Sequence, residues 1–390
     1  MAESNIINNA ARILKLVQAG TPADVALRES LVQTRLFTAP GERRGISRAV
    51  FTYYRWWRWL DPKDSLQKQL AIALAIQDRS NKDPEFIKAE ALAARAVPDW
   101  LKAEMDEIPT GWLRRLQREP TLWIRAKAGT GAALAKKLGH CLPCTKVQGQ
   151  ILGTSAEGQQ GTPAPQSPDA LHYSGITDLY RTPEFQAGEF EIQDLASQLV
   201  SLACNPQPGE TWWDACAGEG GKTMHLSDLM KNKGLLWASD RSKRRLNKLK
   251  DRAARAQVFN FRTASWEGGA HLPTKGKFNG ILVDAPCSGV GTWQRNPHAR
   301  WTTTPKDVQE LAVVQLGLLN HAAGSLKPNG RLIYAVCTLT RAETTAVADA
   351  FTAAHPELEP VRVLGKTPQL TLWPHELNAN GMFIAAWKKR

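Results

Sequence analysis

Asp214-Ala215-Cys216-Ala217-Gly218-Glu219-Gly220-Gly221-Lys222-Thr223 follows a short apolar run, Thr211 to Trp213, and opens a helical pattern that continues through Met230. Glycines at a strand-to-helix turn let the backbone approach a ligand closely and enter the helix tightly. Besides a plain structural turn, three nucleotide-site readings compete. A Walker A loop would need glycine where Cys216 stands. A dinucleotide turn, G-x-G-x-x-G, finds Gly218 and Gly220 but meets Thr223 at its third glycine. An S-adenosylmethionine loop needs no pyrophosphate site, and fits Cys216, Ala217, Gly218, Glu219, Gly220, Gly221 and Lys222.

Outward from this turn, strand and helix patterns alternate. Leu235 to Ser239 reads as the second strand, followed by the basic helix Arg241 to Ala256. Val258 to Arg262, Gly280 to Val283 and Arg331 to Val336 supply three more strands, with helices over Leu311 to Leu326 and Ala342 to Ala354. Such βαβ alternation predicts a mostly parallel sheet covered on both faces. Thr371 to Trp373 and Met382 to Trp387 read as a terminal hairpin at the edge, which makes the last strand antiparallel. Asp240 ends the second strand, where a carboxylate can accept both ribose hydroxyls of an adenosine; its alternative role is to cap the helix beginning at Arg241. Arg245, close behind, is a secondary cofactor candidate.

Asp284-Ala285-Pro286-Cys287-Ser288-Gly289 follows the fourth strand, at the carboxyl edge where open α/β sheets bind ligands. Cys337 ends the fifth strand, in Ala335-Val336-Cys337-Thr338. If those strands are parallel neighbours, both thiols face one crevice. A single cysteine is usually a buried structural thiol. A pair at adjacent strand ends beside a cofactor turn points instead to chemistry.

The remaining chain is less informative. The 390 residues exceed one ordinary domain, and 43% hydrophobic with 22% charged residues excludes global disorder. Fifty Lys+Arg against thirty-seven Asp+Glu give a formal net charge of +13, suited to a polyanion such as nucleic acid. Residues 1–96 read as all-helical, with Ile6, Ala10, Ile13, Leu14 and Val17 at helical spacing. Within them Arg43, Arg44, Arg55 and Arg58 interleave with Tyr53, Tyr54, Trp56, Trp57 and Trp59, a composition that can clamp phosphates and stack on bases. The competing reading buries the aromatics, and for the three tryptophans burial is the expectation. Residues 97–190 read as a small α+β RNA-binding subdomain, with strands at Leu122–Ile124 and 150–152 and a flexible loop over 153–169. Cys141 and Cys144 form a lone C-x-x-C pair that cannot complete a zinc site, so no metal is expected. Neither a secretory signal nor a membrane span is visible, and a cytoplasmic monomer is the expectation.

These stretches resemble the RNA 5-methylcytosine methyltransferases of the Sun family, RsmB-like branch. The matching pieces are D-A-C-A-G-E-G-G-K-T, D-A-P-C-S-G-V-G with downstream Arg295-Asn296-Pro297, Y-A-V-C-T with Glu343 nearby, and the approach Gly188 to Ser197. The resemblance covers roughly residues 97–390, and more weakly residues 1–96 resemble the branch's NusB-like RNA-binding domain. It implies a Rossmann-like class I methyltransferase domain over 191–390, S-adenosylmethionine as cofactor and RNA, most plausibly ribosomal, as substrate. It further implies Cys337 as the nucleophile, Cys287 as the release residue, Asp284 against the base, Lys222 as their electrostatic partner, and Arg295 among the RNA contacts. Two departures stand out: Glu219 replaces a proline, and Ala264/Ser265 replace an aspartate, leaving Ser265 as a weak substitute at the adenine. The alternatives are a DNA cytosine methyltransferase using Cys287, and a catalytically weak RNA-binding or ribosome-assembly factor.

Overall fold

The computed structural model describes residues 2–33, 40–144 and 167–390. The strand expected at 150–152 and all but the last three residues of the loop expected at 153–169 lie outside the described residues. The chain forms two compact units: residues 1–119 with 292–304, and residues 120–291 with 305–390.

In the second unit an eight-stranded sheet is built from β5 (Thr211–Asp214), β6 (Leu235–Asp240), β7 (Phe261–Ser265), β8 (Phe278–Asp284), β9 (Leu326–Val336), β10 (Leu358–Pro360), β11 (Gln369–Leu372) and β12 (Met382–Lys389). Their order is β10-β12-β9-β8-β5-β6-β7, with β11 pairing β12 off this path. The strands from β9 to β7 run parallel, and β12 runs antiparallel against β9. The chain winds from β5 to β7 in one direction, then crosses to β8 and β9 in the other. That reversal opens a crevice at the carboxyl ends of β5 and β8.

The strand sequences are apolar almost throughout because both faces are covered. Alternate residues divide between two cores. Trp212, Leu282, Ile333 and Ile384 face one layer with the helix Leu195–Cys204. Trp213, Ile281, Val283, Leu332 and Tyr334 face the other, with the helices Pro305–Ala323 and Thr345–Ala354.

Two expectations need correction here. The third strand begins at Phe261 rather than Val258, because Gln257 takes a left-handed cap (φ 58) and buried Val258 still packs with the preceding helix. The terminal pair does form, but β12 is not an edge strand, since the short β10 pairs on its outer side.

Four shorter strands, β1 (Leu122–Ala126), β2 (Cys141–Pro143), β3 (Ala170–Tyr173) and β4 (Phe190–Ile192), form a second sheet in the order β2-β3-β1-β4. This sheet clusters with the large one instead of standing as a separate subdomain, and polar staples explain why. Trp123 Nε1 donates to Asn378 O at 2.8 Å, and buried Arg125 pairs with Asp228 at 3.0 Å. Glu191 takes Arg252 at 2.9 Å and also Arg255, both from the basic helix Lys243–Ala256.

The first unit is helical, with Ala2–Gln18, Ala23–Gln33, Pro40–Trp56 and Leu66–Lys82 packed around Ala10, Leu14, Ala49, Val50 and Leu70. It extends past residue 96 to Glu119 and takes in 292–304, a stretch that departs from the second unit's chain just after the Cys287 loop. Trp293 lies edge-on to Trp100 at 6.1 Å, Gln294 Nε2 donates to Glu119 O at 3.0 Å, and Trp301 Nε1 donates to Tyr54 O at 2.7 Å. Among the described residues no helix is long and apolar enough to cross a membrane.

Candidate active site

The loop after β5 is shaped by two glycines. Gly218 (φ 57) and Gly220 (φ 85) take left-handed conformations that favour residues without a Cβ. Gly220 precedes the helix Gly221–Leu229, whose first turn carries Lys222 and Thr223. Ala215 N donates to Leu282 O at 2.9 Å and Ala217 N to Ser239 O at 2.8 Å, so the loop is pinned to strands on both sides. Cys216 is part of this wall, and burial pushes its thiol up.

Asp240 closes the loop from β6. One oxygen accepts from Gly218 N at 2.9 Å and the other from Ser242 N at 2.8 Å, with Arg245 3.5 Å away. Ser242 caps the following helix by accepting from Arg245 N, which leaves Asp240 out of the capping role. A carboxylate offers about four acceptor sites. With Arg245 counted, one site remains to accept from a ribose hydroxyl, so this acceptor fits an adenosine ligand. Ser265 pairs in register with Asp240 at the end of β7 and is exposed there. Glu219 turns toward the basic helix, where Lys248 reaches it at 2.9 Å and holds its carboxyl below the usual range.

Beside the loop lies a nearly dry cluster. Lys222 Nζ sits 2.6 Å from Asp284 Oδ2 at the end of β8, with the lysine side chain 11% and the aspartate 28% exposed. Burial works against the Lys222 ammonium, but Asp284 and then Cys337 outweigh it and hold its pKa above the ordinary lysine value. Cys287 Sγ and Cys337 Sγ are 3.3 Å apart. Asp284 faces Ala335 in the β8–β9 register, so the parallel pairing brings the two cysteine loops side by side. The contact makes the thiols unequal. Cys287, as donor, holds Cys337 below the ordinary thiol value against the cost of burial. The same contact, followed by burial, pushes Cys287 well above it.

Cys287, Cys337, Lys222, Asp284, Asp240 and the glycine loop thus occupy one sheet edge. Arg43, Arg44, Arg58 and Arg295 belong to the first unit. Arg44 and Arg295 are exposed, while Arg58 pairs with Asp99 at 3.3 Å. Arg55 does not fit its expected RNA-contacting role. It is only 2% exposed, and desolvation pulls its pKa down to about 10. A guanidinium so enclosed cannot reach a phosphate. Helical spacing turns Arg55 inward with Trp56, whereas Trp57 stays 43% exposed. Sequence reasoning quoted Asp214 and Glu343 only within matching motifs, without a role in the site, and gave Gln315 no part in it. Only their burial among polar partners reveals them, and no local pattern carries that signal.

The fold and the loop-lined crevice define a Rossmann-like methyltransferase domain. Residues 201–388 match the model of the 16S rRNA methyltransferase RsmB/F family. A probable ribosomal RNA small subunit methyltransferase B of Bacillus subtilis (strain 168) is 36% identical over 219 residues, covering 53% of this chain and 49% of the relative. A 28S rRNA (cytosine-C(5))-methyltransferase of Mus musculus is 32% identical over 238 residues, covering 56% and 30%. The chain spans about half the length, or less, of these two relatives. The crystal structure of PH0851 superimposes with a TM-score of 0.74 at 23% identity, covering 100% of this chain and 99% of that one, which supports the fold.

Proposed function

We propose that the protein transfers a methyl group from S-adenosylmethionine to carbon 5 of a cytosine in ribosomal RNA. The observation carrying this reading is the 3.3 Å contact between two thiols beside the Lys222–Asp284 pair. Bound in the glycine loop with its ribose on Asp240, the cofactor would supply an electrophilic methyl on a sulfonium. Carbon 5 of cytosine is a poor nucleophile until carbon 6 is attacked. Cys337, the thiol favoured as thiolate, is suited to add at carbon 6, which places electron density on carbon 5 for the methyl. Cys287, once its own proton has passed to solvent, is positioned to take the carbon 5 proton, after which the Cys337 sulfur leaves and the ring regains its double bond. Asp284, partly open to solvent, is suited to hydrogen-bond the base while Lys222 fixes its orientation. The target cytosine must be unpaired or flipped, since a thiol cannot reach carbon 6 within a stack.

The RNA class rests on the family and on the +13 charge. Arg43, Arg44, Arg58 and Arg295 are the proposed phosphate contacts, within a helical RNA-binding part at the start of the chain. Touching thiols that must stay reduced fit a cytoplasmic address, and the chain is taken to act as a monomer. The test incubates Cys287→Ala and Cys337→Ala separately with total RNA and S-adenosylmethionine before a denaturing gel. A covalent protein–RNA band is expected from Cys287→Ala alone, and sequencing the trapped RNA gives the target. A band from Cys337→Ala alone would reverse the two roles. No band from either, with a wild type that transfers no methyl, would overturn the reading in favour of an assembly factor.

A further inference from the structure

Both cysteine loops hang from one buried carboxylate. Glu343, in the short turn Arg341–Glu343, is fully buried. One of its oxygens accepts from Ser288 N at 2.8 Å and Gln315 Nε2 at 3.0 Å. The other takes Thr338 Oγ1 at 3.1 Å, Thr340 Oγ1 at 2.8 Å and the Ser288 hydroxyl. Ser288 adjoins Cys287 and Thr338 adjoins Cys337, so the carboxylate clasps the residue after each thiol. Gln315 Nε2 also donates to Pro286 O at 2.9 Å, which holds the other side of Cys287. The Tyr334 hydroxyl completes the network, 2.9 Å from Gln315 Oε1 and 2.6 Å from Glu343 O.

Two consequences follow from ordinary electrostatics. Charge on a buried carboxylate acts through a low-dielectric setting, where its field is strong. That field bears on Cys287 and adds to the causes that keep its thiol protonated, whereas Lys222 acts on Cys337 in the opposite sense. The clasp also removes slack between the loops, so the sulfurs stay in contact instead of drifting apart.

Resting on the reading that Cys337 attacks the base, we infer that Glu343 is a positioning residue that holds the two thiols in contact. The substitution Glu343→Gln keeps the shape, removes the charge and places an amide where hydroxyl donors converge. Two readouts do not depend on turnover. Iodoacetamide alkylation followed by peptide mapping gives a pH profile for each thiol. In the wild type Cys337 should react with a midpoint below that of Cys287. In Glu343→Gln that gap should close. Diamide, which removes two hydrogens to join touching thiols, should crosslink the pair more slowly in the variant. In turnover, kcat should fall by about 10–100-fold with little change in KM, as expected when reacting groups are misplaced.

Should Glu343→Gln fail to fold, Ser288→Ala removes one of the five contacts, the serine hydroxyl, and should shift both thiol readouts in the same direction, less far. Wild-type alkylation order and crosslinking rate in these variants would overturn the inference. If the thiol readouts move as expected but the wild type transfers no methyl, the clasp stands and the proposed reaction falls.

Discussion

Adjacent glycines in the cofactor loop should respond in opposite ways to one added methyl group. Gly220 has φ 85 and ψ 14, a conformation costing an alanine roughly 1–2 kcal/mol. Its Cβ would stand 2.5 Å from Leu249 Cγ, 3.1 Å from Cδ1 and 3.2 Å from Cβ. Carbon contacts prefer about 3.5–4.0 Å, and Leu249 has nowhere to retreat. It is buried among Ala217, Met224, Ala238 and Leu246, in the layer between the loop's helix and the basic helix. Overpacking of this kind costs roughly 1–3 kcal/mol. Gly220→Ala should therefore lose about 2–5 kcal/mol, a large share of the roughly 5–15 kcal/mol that holds a domain folded.

Gly221, by contrast, is the first residue of the helix, and its Cβ would meet nothing nearer than Gln193 Nε2 at 4.0 Å. Gly221→Ala should stay within about 1 kcal/mol of wild type. Urea denaturation followed by tryptophan fluorescence measures both, and calorimetric titration with S-adenosylmethionine measures the site. A Gly220→Ala protein as stable as wild type, or a Gly221→Ala protein equally destabilised, would refute this account of the loop. A stable Gly221→Ala that no longer binds the cofactor would mark Gly221 as a residue the ligand itself needs.

Other outcomes follow from the same geometry. Lys222→Met should raise the pH at which iodoacetamide reaches Cys337, and Cys287→Ala, which removes the donating thiol, should raise it further; an unchanged profile in both would refute the electrostatic account of the pair. Asp214, only 1% exposed with one oxygen lacking a partner among the described residues, has its carboxyl pushed up to about 7 by burial, despite the Thr223 hydroxyl at 2.7 Å. Unfolding lets this group ionise from about pH 4. Stability is thus fully present below that pH and is lost as pH rises toward 7. Asp214→Asn should remove that loss, so its melting temperature relative to wild type should climb between pH 4 and pH 7; a flat or opposite difference would show that the charged form has a partner.

Much of the site was legible before any tertiary structure because its signals are local. A glycine-rich turn, an acid closing the next strand and cysteines ending two later strands each lie within a few residues of a strand end. In a parallel sheet all strand ends of one kind face the same side, so the period of the sequence was enough to bring Lys222, Asp240, Asp284, Cys287 and Cys337 together. The same locality explains the misplaced start of β7, since an apolar Val258 just past a helix looks alike whether it packs as helix cap or strand.

Only the tertiary structure decided the rest. That Arg55 turns inward while Arg44 is exposed depends on which side of one helix meets its neighbours, and a run with aromatic and basic residues on every side does not reveal it. The incorporation of 292–304 into the first unit rests on partners far away in sequence, such as Trp100, Glu119 and Tyr54. Glu343 sits 55 residues from Ser288, and nothing in the chemistry of a lone glutamate announces a clasp across that distance. Local propensity and strand polarity select the sheet edge where the chemistry gathers. The distances that make two thiols unequal arise from side-chain packing and from the burial of charge, and those exist only once the chain has folded.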